Sequence, residues 1–357
     1  MIEKLLDVCD FQGGTQPPKE EWISEPKDGY IRMLQIRDYT QGDEKYIEYV
    51  LDNGKLHKCV EEDIMLSRYG YIGQAFTGLA GAYNVALVKV IKKKPVHNRY
   101  LLYYFKSGYF QHHLLDNVGA RATIPGFNKS ELKNATIDIP NEERQEFISD
   151  ILGKIEGLIA LRQQELQKLD DLIKARFVEM FGNPTFNEKG FETKLGSDLF
   201  NLSNGKFVPE SKRFEDGIPV YGGNGVSWYT DEILFENDTI VVGRVGFQSG
   251  NVHLVKGPLW ISDNAMYVSN LFDDGFDLRF LYFVMEHIDF TRFQDAGDLK
   301  KITQKPFMAM HYIKPPLDMQ LDYVSFVAQI DKSKFVVQQA LEKAQLLFDS
   351  LMQQYFG

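Results

Sequence analysis

The chain has 357 residues, is 44% hydrophobic and 25% charged, and carries a formal net charge of −10. Two to three domains fit that length, the composition excludes wholesale disorder, and the charge argues against a protein that coats nucleic acid by bulk attraction. Cys9 and Cys59 give neither a zinc spacing nor a disulfide framework, no secretory leader follows Met1, and no apolar run approaches 18 residues. A cytoplasmic protein with no membrane span and no metal site is expected.

Residues 1–139 form a first globule with 18 acids against 18 bases. Short β-rich runs such as YIRMLQI and AYNVALVKVI alternate with Gly, Asn and Asp, and NRYLLYYFKSGYFQHHLL has helical periodicity. Residues 140–182 then repeat apolar positions every seven: Leu152, Ile159, Leu166, Ile173 and Met180, beside a row of Ile148, Ile155 and Leu169. Proline opens the stretch and Phe-Gly closes it, which predicts one long helix. Residues 183–314 form a second globule, again with β-rich runs (IPVYGG, DTIVVGRVG, NAMYVSN), and with 16 acids against 11 bases over 195–314. Residues 315–357 repeat the helix, shifted by 175 positions, with Ile330, Val337, Leu341, Phe348 and Leu351 on the apolar face.

The chain is therefore globule, helix, globule, helix, an internal duplication. A helix of about 37 residues is roughly 55 Å long and cannot bury its stripe in one small globule. The other copy is the partner at hand, and two like surfaces pair about a two-fold axis, which makes the helices antiparallel. The globules match more weakly: Asn84 with Asn264, Arg68-Tyr69-Gly70 with Arg244-Val245-Gly246, Arg99 with Arg279. Divergence concentrates in loops: 12–17 against 203–209, 33–38 against 220–225, and 119–126 against 297–304. One frame with different loop contents points to one task performed on two targets.

No G-x-x-x-x-G-K-[ST] phosphate loop occurs. The Gly-rich run at 221–225 reads as a turn, Asn183-Pro184 as a linker, and the carboxylates form no recognisable catalytic set. The composition of motifs is that of a binding protein.

The run IPVYGGNGVSWYTD (218–231) and the helix end RQQELQKLDDLIKARFVEMFGNP (162–184), in this duplicated order, resemble the specificity subunit of type I restriction–modification enzymes. The resemblance covers essentially the whole chain. It implies an α+β fold with two pseudo-two-fold related target recognition domains, separated by an antiparallel pair of long coiled-coil helices. It also implies a split DNA site, with one half per domain and the helix pair as spacer. The subunit would be non-catalytic, recruiting two methylation subunits, and restriction subunits in the full complex. S-adenosylmethionine, ATP and magnesium would belong to those partners, with no cofactor in this chain, and self-association is expected when the partners are missing. A coiled-coil scaffold with two ligand-binding globules is the alternative.

Side chains that read base edges are mostly Arg, Lys, Asn and Gln. The candidates in the first globule are Thr15, Gln16, Gln35, Arg37, Arg68, Tyr69, Arg121 and Thr123. In the second they are Asn204, Lys206, Tyr221, Asn224, Arg244, Gln248, Lys300 and Lys301. Arg68 and Arg244 match each other, so phosphate contact or a structural role is open for them, and Arg99 and Arg279 read as structural ion pairs.

Overall fold

The computed structural model describes residues 1–117, 126–297 and 300–357; Arg121 and Thr123 lie outside them. The chain divides into two compact units that do not follow chain order. The first comprises residues 1–163 with 339–357, and the second residues 164–338.

In the first unit, four strands lie in the order Cys9–Gly13, Leu87–Lys92, Met65–Ser67, Ala75–Phe76, every neighbouring pair antiparallel. Alternation along Leu87–Lys92 sends Val88 and Val90 into the main core and Leu87 into a smaller one. A second sheet runs Tyr49–Leu51, Tyr30–Leu34, Gly81–Tyr83, Lys58–Cys59, and its central contact is parallel, Met33 opposite Ala82 and Leu34 opposite Tyr83. The second unit repeats both arrangements. Phe200–Asn204, Ala265–Leu271, Thr239–Gly243 and Val252–Val255 form the antiparallel sheet. Gly225–Thr230, Ile218–Gly222 and Trp260–Ile261 form the other, again with one parallel contact, Val220 opposite Trp260. Thr239–Gly243 is buried throughout because it separates two cores: Ile240 and Val242 face one, Val241 the other. A strand covered on both faces reads as the continuous apolar run seen here.

The stretch NRYLLYYFKSGYFQHHLL, helical as its periodicity predicts, forms two helices, Asn98–Lys106 and Gly108–Asn117. Ser107, 1% exposed, breaks it by accepting the Phe110 amide at its hydroxyl, 3.2 Å. A serine that bonds its own downstream backbone favours the start of a new helix over continuation of the old.

The long helices span Glu142–Phe181 and Leu317–Phe356, 40 residues each and so roughly 60 Å. Acidic residues (Glu142, Glu143, Asp318) sit at their positive N-terminal ends. Gly182 closes the first with φ 68°, its N–H donating a hydrogen bond to the Val178 carbonyl at 2.8 Å. Each unit takes one half of each helix. In the first, Ile148 and Leu152 join Met352 and Phe356 in the main core, and Tyr103 meets Phe348 edge-on at 6.3 Å. In the second, Phe177 and Phe181 join Tyr323, Val324 and Val327, and Lys334 pairs with Asp170 at 2.5 Å. The start of one helix meets the end of the other in each unit, so the pairing is antiparallel. Ile148, Leu152, Ile155 and Val337 are buried; Ile159, Leu166, Leu169, Ile173, Ile330, Leu341, Phe348 and Leu351 are half-buried. The fold is thus the α+β one expected, with one topology repeated in the two units and antiparallel helix halves packed within each.

A buried glutamine fastens each globule to its helix. Gln145 donates to the Pro140 carbonyl at 2.8 Å and accepts the His97 amide at 2.9 Å. Gln320, at the equivalent position, donates to Pro315 at 2.8 Å and Gly275 at 3.0 Å and accepts the Asp277 amide at 2.9 Å. Both are almost fully buried, at 4% and 0% exposure, so removing either side chain strands backbone groups away from water. Gln320→Ala is expected to destabilise the protein by roughly 2–4 kcal/mol, measured by urea unfolding, with Gln320→Glu costing no less.

Candidate nucleic-acid interface

Two of the divergent loop pairs and the matched loop pair at 67–73 and 243–250 converge, within each unit, on one backbone segment. In the first unit this is 83–87. Tyr83 accepts the Thr15 amide at 3.0 Å, Leu87 the Gly14 amide at 3.2 Å, and Ala86 the Arg68 amide at 2.7 Å, while the Asn84 amide donates to Leu34 at 3.1 Å. The second unit repeats the pattern at 261–265. Ile261 accepts the Lys206 amide at 2.8 Å, Ala265 the Gly205 amide at 3.0 Å, and Asn264 the Arg244 amide at 2.9 Å, while Ser262 donates to Tyr221 at 2.9 Å. Three loops per unit hang from each hub: 13–16, 34–37 and 67–73 in one, 204–207, 221–225 and 243–250 in the other. Glycine is required where the first loop crosses. A Cβ at Gly14 would lie 2.0 Å from the Asn84 carbonyl oxygen, and one at Gly205 2.1 Å from that of Ser262.

A fourth segment joins each group. Tyr69 bridges to Gly126 and Val245 to Lys301, and the Phe127 and Ile302 amides donate to the Arg68 and Arg244 carbonyls at 3.3 and 2.9 Å. The described candidates are therefore gathered at one hub per unit. Gln16, Asn204, Lys206, Asn224, Gln248 and Lys301 are exposed, while Thr15, Gln35, Arg37, Arg68, Tyr69, Tyr221, Arg244 and Lys300 are half-buried.

Several half-buried candidates are already engaged. Arg68 bonds the Phe127 carbonyl at 3.1 Å and the Asn128 side chain, and its guanidinium lies 5.3 Å from the Tyr69 ring. Arg244 reaches the Asp263 carbonyl at 3.4 Å. Both guanidiniums thus hold loops in place. Arg99 pairs with Asp150 of the long helix at 3.2 Å, and Arg279 with its own cap residue Asp277 at 3.0 Å.

The hubs carry different contents. In the first unit, a short helix, Ile36–Thr40, follows the parallel strand, opened by a reciprocal cap between Gln35 and Asp38. Glu48 gathers three donors there: Lys19 at 2.6 Å, Gln35 at 2.9 Å and Arg37 at 2.5 Å. In the second unit the corresponding strand turns straight back, Gly222 to Gly225, and leaves Asn224 at an exposed tip. Sequence reasoning missed Glu48 and the hub residues themselves, and the match of Asn84 with Asn264 is corrected at the hub: by their backbone bonds Asn84 corresponds to Ser262 and Asn264 to Ala86.

Burial pushes the Glu48 carboxyl up, but hydrogen bonds from Lys19 and Gln35 and the charges of Lys19 and Arg37 outweigh it and hold it below the usual glutamate range. A lowered native value means a stability contribution that is full above the unfolded glutamate pKa and lost as pH falls through the native one. Glu48→Gln is expected to cost about 1–3 kcal/mol at neutral pH. In acid unfolding series, the gap between wild type and variant should close on acidification; a pH-independent gap would assign the effect to packing.

Among the described residues, no group of three or more His, Cys, Asp or Glu could hold a metal ion, and no helix is long and apolar enough to cross a membrane. Both cysteines are buried, and burial pushes the Cys9 thiol up to about 12, far from thiolate chemistry.

Residues 1–171 match the family model for the type I restriction modification DNA specificity domain. Among curated relatives, the type I restriction enzyme MjaVIII specificity subunit of Methanocaldococcus jannaschii is 24% identical over 271 residues, 71% of this chain and 62% of the relative. The putative MjaX specificity subunit of the same organism is 24% identical over 347 residues, 87% of this chain and 79% of the relative. A putative type I specificity subunit of Mycoplasma genitalium is 23% identical over 271 residues, and the matched stretch spans 65% of it. The chain therefore covers less than two thirds of two of these relatives. Two solved structures share the whole fold. One is a type I restriction–modification S subunit from M. genitalium, with a TM-score of 0.66 at 16% identity, covering 100% of this chain and 96% of the other. The other comes from work on assembly of the type I restriction–modification system, with a TM-score of 0.62 at 14% identity, covering 100% and 97%. With a family model across the first globule and its helix, relatives along most of the chain, and a duplicated topology on paired long helices, the chain is similar in sequence and fold to the specificity subunits of type I restriction–modification enzymes.

Proposed function

We propose that this chain is the sequence-reading subunit of a type I restriction–modification complex and recognises a split, asymmetric site on double-stranded DNA. The observation that carries the reading is the pair of equivalent hubs with different loop contents. A common frame gives the two units one manner of approaching a duplex. Different side chains on that frame give each a different half-sequence, since base edges are read by individual donors and acceptors. Exposed Gln16 in one unit, and Lys206, Asn224 and Gln248 in the other, are the readiest base or phosphate contacts.

The chain carries no chemistry of its own in this reading. Two methylation subunits supply S-adenosylmethionine and transfer to adenine, and restriction subunits supply the ATP- and magnesium-dependent steps. The long helices set the spacing between half-sites and dock the methylation subunits. Their outward faces carry apolar side chains suited to that. Leu158, Leu161, Leu346 and Leu347 are 43–70% exposed in the first unit, and Leu172, Phe335 and Val336 45–64% in the second. Apolar side chains left outward on helices are covered in a stable partnership or drive self-association without one.

Two outcomes test this. Co-expression with the methyltransferase subunit, followed by sequencing of host DNA for N6-methyladenine, should reveal a split motif. Replacing residues 195–314 by those of another specificity subunit should change one half and leave the other; a motif that is unsplit, or that changes in both halves, contradicts one unit per half-site. The double variant Leu161→Asp with Leu346→Asp should keep the thermal midpoint of the free chain within a few degrees, because both positions are exposed. It should also lose co-purification with the methylation subunit; retained co-purification would place docking elsewhere.

A further inference from the structure

Beside the divergent loops, one short pattern is present in both units: Arg68-Tyr69-Gly70-Tyr71 and Arg244-Val245-Gly246-Phe247. The two loops close identically. Ser67 donates to Gln74 at 2.9 Å and accepts from Gly73 at 2.7 Å; Gly243 donates to Asn251 at 2.9 Å and accepts from Gly250 at 2.8 Å. The arginine of each latches the loop to a backbone carbonyl, Phe127 in one and Asp263 in the other. The glycine of each takes a left-handed turn, φ 72° and 94°, that a side chain would strain. Immediately after the turn, each loop holds an aromatic ring in water: Tyr71 is 79% exposed and Phe247 92%. Phe247 is the most exposed large apolar side chain among the described residues.

The tips are rigid, not slack. The Ser67 hydroxyl bonds the Tyr71 carbonyl and receives the Gln74 amide at 2.9 Å. Gln294 bonds the Ser249 carbonyl at 2.7 Å and approaches that of Phe247 at 3.4 Å, and the Gly246 amide donates to Lys300 at 2.8 Å. A single exposed ring is ordinary by itself; what distinguishes these two is that equivalent loops, each with a latching arginine and a left-handed glycine, hold one at the same place in both units. Both tips hang from the hubs that carry the divergent loops, through the Arg68 and Arg244 amides.

We infer that Tyr71 and Phe247 are a matched pair of sequence-independent DNA anchors, one per half-site, each pressing its ring against the sugars and exposed base edges of the duplex. The inference rests on the DNA-reading function proposed above. It adds that the features shared by the two hubs do not discriminate sequence. A side chain used to tell the half-sites apart would differ between the copies, as Gln35 differs from its counterpart loop at 221–225. An apolar ring, by contrast, packs on sugars or wedges at a base step without reading donors and acceptors. The arginines of the pattern position the ring and are not themselves the anchors.

The test uses the chain assembled with its methylation subunits and a duplex bearing the methylated motif, and measures the dissociation constant at fixed salt. Tyr71→Ala and Phe247→Ala should each weaken binding by roughly ten-fold, with the methylated motif unchanged, and the double variant by more. Tyr71→Phe and Phe247→Tyr should restore it, and thermal midpoints should stay at the wild-type value because both rings are exposed. Alanine variants that bind as tightly as wild type would overturn the inference while leaving the function standing, and so would a changed motif, which would make these residues readers of sequence. A wild-type complex with no affinity for the duplex would instead remove the DNA-reading function and this inference with it.

Discussion

Everything else in this protein depends on how two 40-residue helices bury their apolar stripes. Neither globule alone offers enough surface to a helix of that length, so each helix is shared out. The first contributes Ile148 and Leu152 to one core and Phe177 and Phe181 to the other, and the second contributes Met352 and Phe356, then Tyr323 and Val327, in the opposite order. The first unit is completed by residues 339–357 from the far end of the sequence, and the second is the continuous stretch 164–338 between its two parts. That couples the stability of the globules to the pairing of the helices, and it explains why the fastening glutamines Gln145 and Gln320 are buried polar groups held by several hydrogen bonds each. A polar side chain at such a junction is tolerated only when its hydrogen bonds are complete, and when complete it fixes geometry that apolar packing leaves loose.

On that framework the two globules repeat one arrangement down to individual backbone bonds. The hubs at 83–87 and 261–265 receive the same three loops through equivalent backbone bonds, with glycine where two backbones nearly touch. Backbone bonds are indifferent to side-chain identity, so the loops are free to differ. One hub carries a capped helix steadied by Glu48, the other a bare hairpin turn with Asn224 at its tip. Separation of frame from content is what a recogniser of two unlike targets requires, and it accounts for a common approach with two readings.

Much of this was legible in the residues. The helices declare themselves through a seven-residue spacing retained in both copies, and the globules through β-branched runs and the matched Arg68 and Arg244, whose amides make equivalent bonds. The loops that differ most between copies, 12–17, 33–38 and their counterparts, are the ones gathered at the hubs. The part that stayed hidden depends on contacts distant in sequence. The interleaving of the units arises from helix ends that meet although they lie far apart along the chain. The engagement of Arg37 and Gln35 arises from a carboxylate, Glu48, brought alongside by strand pairing. The helix break at Ser107 arises from one hydroxyl turning back on its own backbone, which apolar periodicity cannot register. Tyr71 and Phe247 were not singled out in the sequence, because the exposure of a loop aromatic shows only once the loop tips are placed.

The most direct test is photo-crosslinking of the assembled complex to its methylated duplex, with the joined residues located by mass spectrometry. Crosslinks should fall on both units, at 13–16, 34–37 and 67–73 in one and at 204–207, 221–225 and 243–250 in the other, each set joined to a different half of the site. Crosslinks confined to one unit, or spread along the long helices with the hubs untouched, would contradict it.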